Sequence, residues 1–334
     1  WIVAEWVRRR RPKELPRMPL QVVPEQTDFR FMWLRRFTFP LTALASIAAV
    51  VLFMTIDMNY GIDFKGGSSI EVRAQDESAD IVDIRSRLST LGLGEVQVQE
   101  FGDPRDVLIR LQAQGGGDAA EQRAIDEVQA ALGSDYDFRR IEVVGPTISS
   151  ELARAGTLAV VVSLAAILIY IWLRFEWQFA IGAIVATLHD VLMTMGFFVV
   201  TGVEFNLTSI AAILTIVGYS LNDTVVVYDR VRENLRRYKK MPLPQLLDLS
   251  VNQTLSRTVM TSLTTLIALV SLYAFGGEVI RSFTAAMIFG VVIGTFSSIF
   301  VAGPLLVLFR LRRPAAETAN EEEKEGTAGQ VPAR

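Results

Sequence analysis

Two adjacent polar residues, Asn222 and Asp223, interrupt an apolar run over residues 205–228. An ionised aspartate inside hydrocarbon costs at least about 2.5–3.5 kcal/mol, so such a side chain faces protein or water and is a functional candidate by default. A carboxyl group held there can take up and release a proton, with a basic neighbour and desolvation pulling in opposite directions. Arg257 is the candidate neighbour: it opens the next apolar run, and Thr261, Thr264, Ala268 and Ser271 follow it at helical spacing. His189 and Asp190 are a second internal polar pair, which either hydrogen-bonds a relay or holds helices together, the structural role being preferred. Each candidate also has a bland reading. Counting about 1.5 Å per residue from Asn206 puts Asp223 roughly 25 Å along its helix, in the cytoplasmic half, where it could simply edge a helix end. The apolar stretch Val225, Val226 and Val227 beyond it speaks against that. Arg257 could be a snorkelling anchor, and Asp229 and Arg230 are read as interfacial and solvated.

These residues need a membrane bundle to position them. The chain has 334 residues, 51% apolar, and a net charge of −3, with a mean hydropathy of +0.34, too hydrophobic for an ordinary soluble domain. Charge-poor runs occupy residues 37–56, 155–173, 177–203, 205–228, 258–277 and 282–309. Each reaches the roughly 20 residues that cross about 30 Å of hydrocarbon, so six spans are expected. The first run starts late, follows a polar segment and lacks a small-residue cleavage site, so it is expected to be retained. Trp1 is not a start residue, and further residues are expected before it. The chain has no cysteine and one histidine, which excludes disulfides, thiol chemistry and a His-cluster metal site. No cofactor is expected other than protons as the coupling ion.

Lys and Arg crowd three places: before the first span (Arg30, Arg35, Arg36 and others upstream), between the fourth and fifth (Arg230, Arg232, Arg236, Arg237, Lys239, Lys240), and after the sixth (Arg310, Arg312, Arg313). The opposite short loops carry only Glu204 in one and Glu278 and Arg281 in the other. The bias places both termini in the cytoplasm and the long segment after the first span outside the inner membrane. Residues 1–36 then form a cytoplasmic segment, with an interfacial helix at 28–36 holding Phe31 and Trp33 at headgroup level. Residues 37–56 are the first transmembrane helix, 57–154 a periplasmic domain, 155–309 helices two to six, and 310–334 a disordered tail. Within the periplasmic segment, period-two alternation at 68–74, 95–101, 107–111 and 135–144 frames helical spacing at 77–91 and 115–132. That β-α-β-β-α-β order is the ferredoxin-like split pattern.

"GIDFKGGS" after the first span, "LHDV" in the third, "GYSLNDTVVVYDRVREN" in the fourth and "NQTLSRT" opening the fifth, with six spans around one external domain, resemble the SecF family. That family supplies membrane subunits of the bacterial preprotein translocation machinery, within the resistance-nodulation-division superfamily. The resemblance implies pairing with SecD and use of the proton motive force. Asp223 matches the family's relay carboxylate and Arg257 its paired arginine; Asn222, Asp190 and His189 form a second tier on their own position inside apolar runs. It further implies the SecYEG translocon, YajC, YidC, preproteins and the lipid bilayer as partners, and no nucleic acid. No catalysis is expected, since no G-x-x-x-x-G-K-[ST] loop is present. The alternatives are a passive membrane scaffold in which Asp223 and Arg257 form a structural ion pair, and small-molecule export.

Overall fold

The computed structural model describes residues 24, 27–75, 78–309 and 311. Six of its helices are long and apolar enough to cross a membrane. They are α1 (Phe31–Thr55), α5 (Pro146–Arg174), α6 (Trp177–Thr201), α7 (Leu207–Arg237), α8 (Leu243–Phe275) and a sixth segment, Arg281–Leu308. The sixth is α9 (Arg281–Ser297), a π-helical turn (Ser298–Ala302) and α10 (Gly303–Leu308). Pro304 explains the interruption: it has no N–H to give and its ring would strike the carbonyl four residues back, so the chain widens into a π turn before it.

Helix ends differ from the hydropathy boundaries because several helices run on past the apolar stretch. Residues 31–36 do not form a separate interfacial helix but are the first turns of α1. That start is fixed by α8, which reaches across to it. Asp248 Oδ1 accepts from the Met32 N–H at 2.8 Å and Asn252 Oδ1 from the Phe29 N–H at 3.0 Å, satisfying donors that a helix start leaves open. Helix α5 begins at Pro146, a residue suited to a first helical turn, and α8 at Leu243. The expected tail over 310–334, apart from Leu311, lies outside the described residues, as does most of the expected segment before residue 27.

Between α1 and α5 the chain makes a short helix α2 (Ile62–Lys65), β1 (Gly67–Ala74), α3 (Ile81–Ser89), β2 (Val96–Phe101), β3 (Asp103–Leu111), α4 (Asp118–Leu132) and β4 (Tyr136–Val144). The strands form one antiparallel sheet in the order β2-β3-β1-β4, the ferredoxin-like arrangement. Alternation in β1 sends Ile70 and Val72 into the core, where they meet Ile84 and Leu88 of α3, Ile109 of β3 and Ile125 and Val128 of α4. Asp80 caps α3 by accepting from the Val82 and Asp83 N–H groups.

The opposite face of the sheet lies over one end of the bundle of membrane-length helices. Arg110 of β3 donates to Asn59 Oδ1 at 3.2 Å and forms an ion pair with Glu204, in the loop between α6 and α7. Beside this pair runs a cleft of about 610 Å³ lined by Glu71, Glu142, Glu204 and Tyr273 among others. The segment entering the domain is joined to the same loop by backbone bonds. Phe205 N–H donates to Asn59 O at 2.8 Å and Gly61 N–H to Phe205 O at 2.9 Å. Two glycines then turn the chain into β1. Gly67 has φ +109° and lies so close to β3 that a Cβ there would run into the Leu111 carbonyl.

Candidate functional site

Helix α7 starts with a capping box: Asn206 Oδ1 accepts from the Ser209 N–H, and Ser209 Oγ accepts from the Asn206 N–H. Asp63 of α2 accepts from the next donor, Leu207 N–H, at 2.9 Å. From that end a buried stripe descends through Ser209, Ala212, Ile216 and Ser220 to Asp223. The small residues in it admit α9, whose Gly290 faces Ile216 and whose Gly294 faces Ser220. A Cβ on Gly294 would stand 2.9 Å from Ser220 Cβ, so only glycine permits this approach.

Asp223 is 3% exposed. Its Oδ2 is buried and has no hydrogen-bond partner among the described residues, and the same holds for Thr258 Oγ1 on α8. Arg257, the expected partner, is exposed and forms no ion pair with Asp223 among the described residues, although its charge acts on the carboxyl group at longer range. The expected direct pairing is therefore absent from this structure. The reason is azimuthal: consecutive helical residues are about 100° apart, so with Thr258 turned inward its neighbour Arg257 turns out. For the same reason Asn222 is exposed, on a face of α7 shared with Gly218 and Thr215.

Asp190 is as buried as Asp223 but differs from it in being hydrogen-bonded on both oxygens. It is 0% exposed and accepts from Ser297 Oγ of α9 at 2.8 Å and from Ser220 Oγ of α7, while His189 Nδ1 lies 3.0 Å from its Oδ1. This side chain of α6 thus ties three helices together. A neighbouring chain of hydroxyl groups joins α7, α8 and α9: Tyr219 donates to Ser262 Oγ at 3.2 Å, and Ser262 and Thr295 are 2.7 Å apart. Further along α7, Tyr228 donates to the Ala302 carbonyl in the π turn at 3.2 Å. Ser220, Ser297 and Tyr228 were not singled out from the sequence as partners. The available signal was Gly290, Gly294 and Ser297 on one face of a helix, which places a hydroxyl at the tightest crossing.

At the end of the bundle under the sheet domain, burial pushes the Glu204 carboxyl above its ordinary value of 4.5, and the Arg110 charge offsets part of that. No group of three or more His, Asp or Glu side chains among the described residues could hold a metal ion.

Six spans with a four-stranded antiparallel domain inserted after the first define a polytopic membrane protein with an external ferredoxin-like module. Residues 124–312 match the family described as protein export membrane protein SecD/SecF, C-terminal, and residues 53–77 match the SecD/SecF GG motif. The protein translocase subunit SecF of Rickettsia bellii is 42% identical over 298 residues, covering 87% of this chain and 96% of the relative. That of Cereibacter sphaeroides is 43% identical over 317 residues, covering 92% and 97%. The SecDF subunit of Brucella abortus is 51% identical over 93% of this chain, which spans 41% of that longer protein. A SecDF crystal structure from Thermus superimposes with a TM-score of 0.81 at 35% identity, over 93% of this chain and 42% of the other. The chain belongs to the SecD/SecF family of protein export membrane proteins. It spans about two fifths of the SecDF relatives and nearly all of the SecF relatives.

Proposed function

We propose that the chain is the SecF-type half of a protein-export translocase, working beside a SecD-type partner and drawing on the proton motive force across the bacterial inner membrane. Both termini are then cytoplasmic and the sheet domain periplasmic, as the Lys and Arg distribution favours. The observation that carries this reading is the buried Asp223 Oδ2 without a hydrogen-bond partner. A structural carboxylate is saturated with donors, as Asp190 is; an unsaturated one in a membrane bundle is suited to trading a proton, with Asp223 as the relay group and Arg257 as the charge that responds. A membrane potential supplies about 2.3 kcal/mol per charge per 100 mV, enough to bias two packings of a bundle.

Helix α7 provides the mechanical route. Asp223 sits roughly 24 Å from Leu207 along it, and Leu207 is held by Asp63, in the segment that leads directly into β1. A shift of α7 on proton exchange would reach the periplasmic domain through that contact. SecYEG, YajC, YidC and the emerging preprotein are the partners this role entails. The test is export by the assembled complex carrying Asp223→Asn, at matched subunit abundance, with and without a proton gradient. Stimulation by the gradient is expected to vanish while insertion and assembly persist; undiminished stimulation removes the proposal.

The hydrogen-bonded knot at Asp190 favours a second reading, a passive scaffold. In that case export depends on the presence of the subunit and ignores the gradient.

A further inference from the structure

The relay makes no use of a cleft at the edge of the bundle away from the sheet domain, where the first span starts and the sixth ends. Its volume is about 510 Å³, and Arg35, Arg36 and Phe39 of α1 face Pro304, Val307 and Leu308 of α10 across it. Arg35 and Phe39 are one helical turn apart, as are Pro304 and Leu308, so each helix presents a continuous wall. Arg35 Nη1 is shut away from solvent and has no hydrogen-bond partner among the described residues. Neither Arg35 nor Arg36 forms an ion pair among them.

A guanidinium that only snorkels keeps its head in water. Arg35 instead keeps one nitrogen out of water without a partner while the side chain lines the cleft, so its charge is left uncompensated and an anion from outside the chain, meeting the accessible part of the guanidinium, would be strongly favoured. Aromatic side chains mark the depth. Trp33 and Phe37, 63% and 65% exposed on the outer face of α1, touch edge to face, and Trp177 packs against Phe309. Tryptophan at such positions marks the headgroup level of a bilayer. The two guanidinium groups therefore sit at that level, with Phe39, Val307 and Leu308 beside them as a wall suited to an acyl chain.

We propose that this cleft binds an anionic phospholipid, its phosphate on Arg35 and Arg36 and an acyl chain along Phe39, Val307 and Leu308. Arginine suits the site because its planar fork matches phosphate oxygen atoms in pairs. The ligand chemistry is a phosphate group, and the apolar walls select the lipid source over free phosphate. The site is independent of proton exchange at Asp223. Bound there, the lipid pins the start of α1 to the helix that follows the π turn.

The test is native mass spectrometry of the full chain released from nanodiscs of phosphatidylcholine containing phosphatidylglycerol. Preferential retention of phosphatidylglycerol is expected, falling about tenfold in Arg35→Gln/Arg36→Gln, which corresponds to ~1.4 kcal/mol. Val307→Trp, which fills the apolar side and keeps both arginines, is expected to reduce retention as well, with unchanged helical melting in both variants. Inorganic phosphate added at release is expected not to displace the lipid. Equal retention of the two lipids, equal retention by the Gln variant, or full displacement by inorganic phosphate with no effect of Val307→Trp would each overturn the proposal, the last in favour of a free-phosphate site.

Discussion

Asp190 and Asp223 lie on packed helices, yet one is saturated and the other is not, and that contrast yields separate predictions. Removing a donor from a buried carboxylate costs about 1–3 kcal/mol, so Ser297→Ala is expected to lower the unfolding free energy in detergent by that amount. Asp223→Asn removes no hydrogen bond to Oδ2 and is expected to leave stability nearly unchanged, by the same measurement. Asp223 was legible in the sequence because a lone acid in an apolar run is costly wherever it points. The orientation of Arg257 was not, since one residue along a helix turns a side chain by about 100° and hydropathy does not record azimuth. Ser220 and Ser297 were harder still. Serine is tolerated on any helix face, and only the three-helix contact reveals what these two hydroxyl groups bind.

At the scale of elements, the crossing of α7 and α9 depends on Gly290 and Gly294. Gly294→Val adds volume against Ser220 and is expected to destabilise by about 1–3 kcal/mol, read as a lowered melting temperature, while loosening the hydroxyl contacts to Asp190. The cap that Asp63 places on α7 is expected to be worth about 1 kcal/mol, lost in Asp63→Ala and largely kept in Asp63→Asn, whose amide oxygen still accepts. If α7 transmits movement, Asp63→Ala also lowers gradient-stimulated export beyond its effect on abundance, and Asp63→Asn restores it. The existence of all six spans could be read from apolar run length. Their ends could not: α1, α5 and α8 continue beyond the charge-poor runs, where hydropathy gives no signal, and at the start of α1 Asp248 and Asn252 accept from the Met32 and Phe29 N–H groups. The π turn had a single cue, Pro304, which marks a break without giving its form.

For the whole molecule, the question is how the sheet domain sits on the bundle. Its strand and helix order was legible from alternation, whereas its seat was not, because Arg110 and Glu204 are ordinary surface types far apart in sequence that burial turns into a contact. Burial raises the folded Glu204 value above 4.5, so the folded protein holds that proton more tightly than the unfolded chain does. The resulting stabilisation is full below 4.5 and is lost as pH rises through the raised folded value. Thermal unfolding across that window is expected to show this decline, flattened in Glu204→Gln. The proposed proton coupling turns on whether the carboxyl group of Asp223 changes protonation within the bilayer, and infrared difference spectroscopy of the membrane-embedded complex measures that directly. Proton exchange at Asp223 predicts a protonated-carboxyl band that changes with pH and disappears in Asp223→Asn. A spectrum with no titrating band, or one whose band survives that substitution intact, would contradict it.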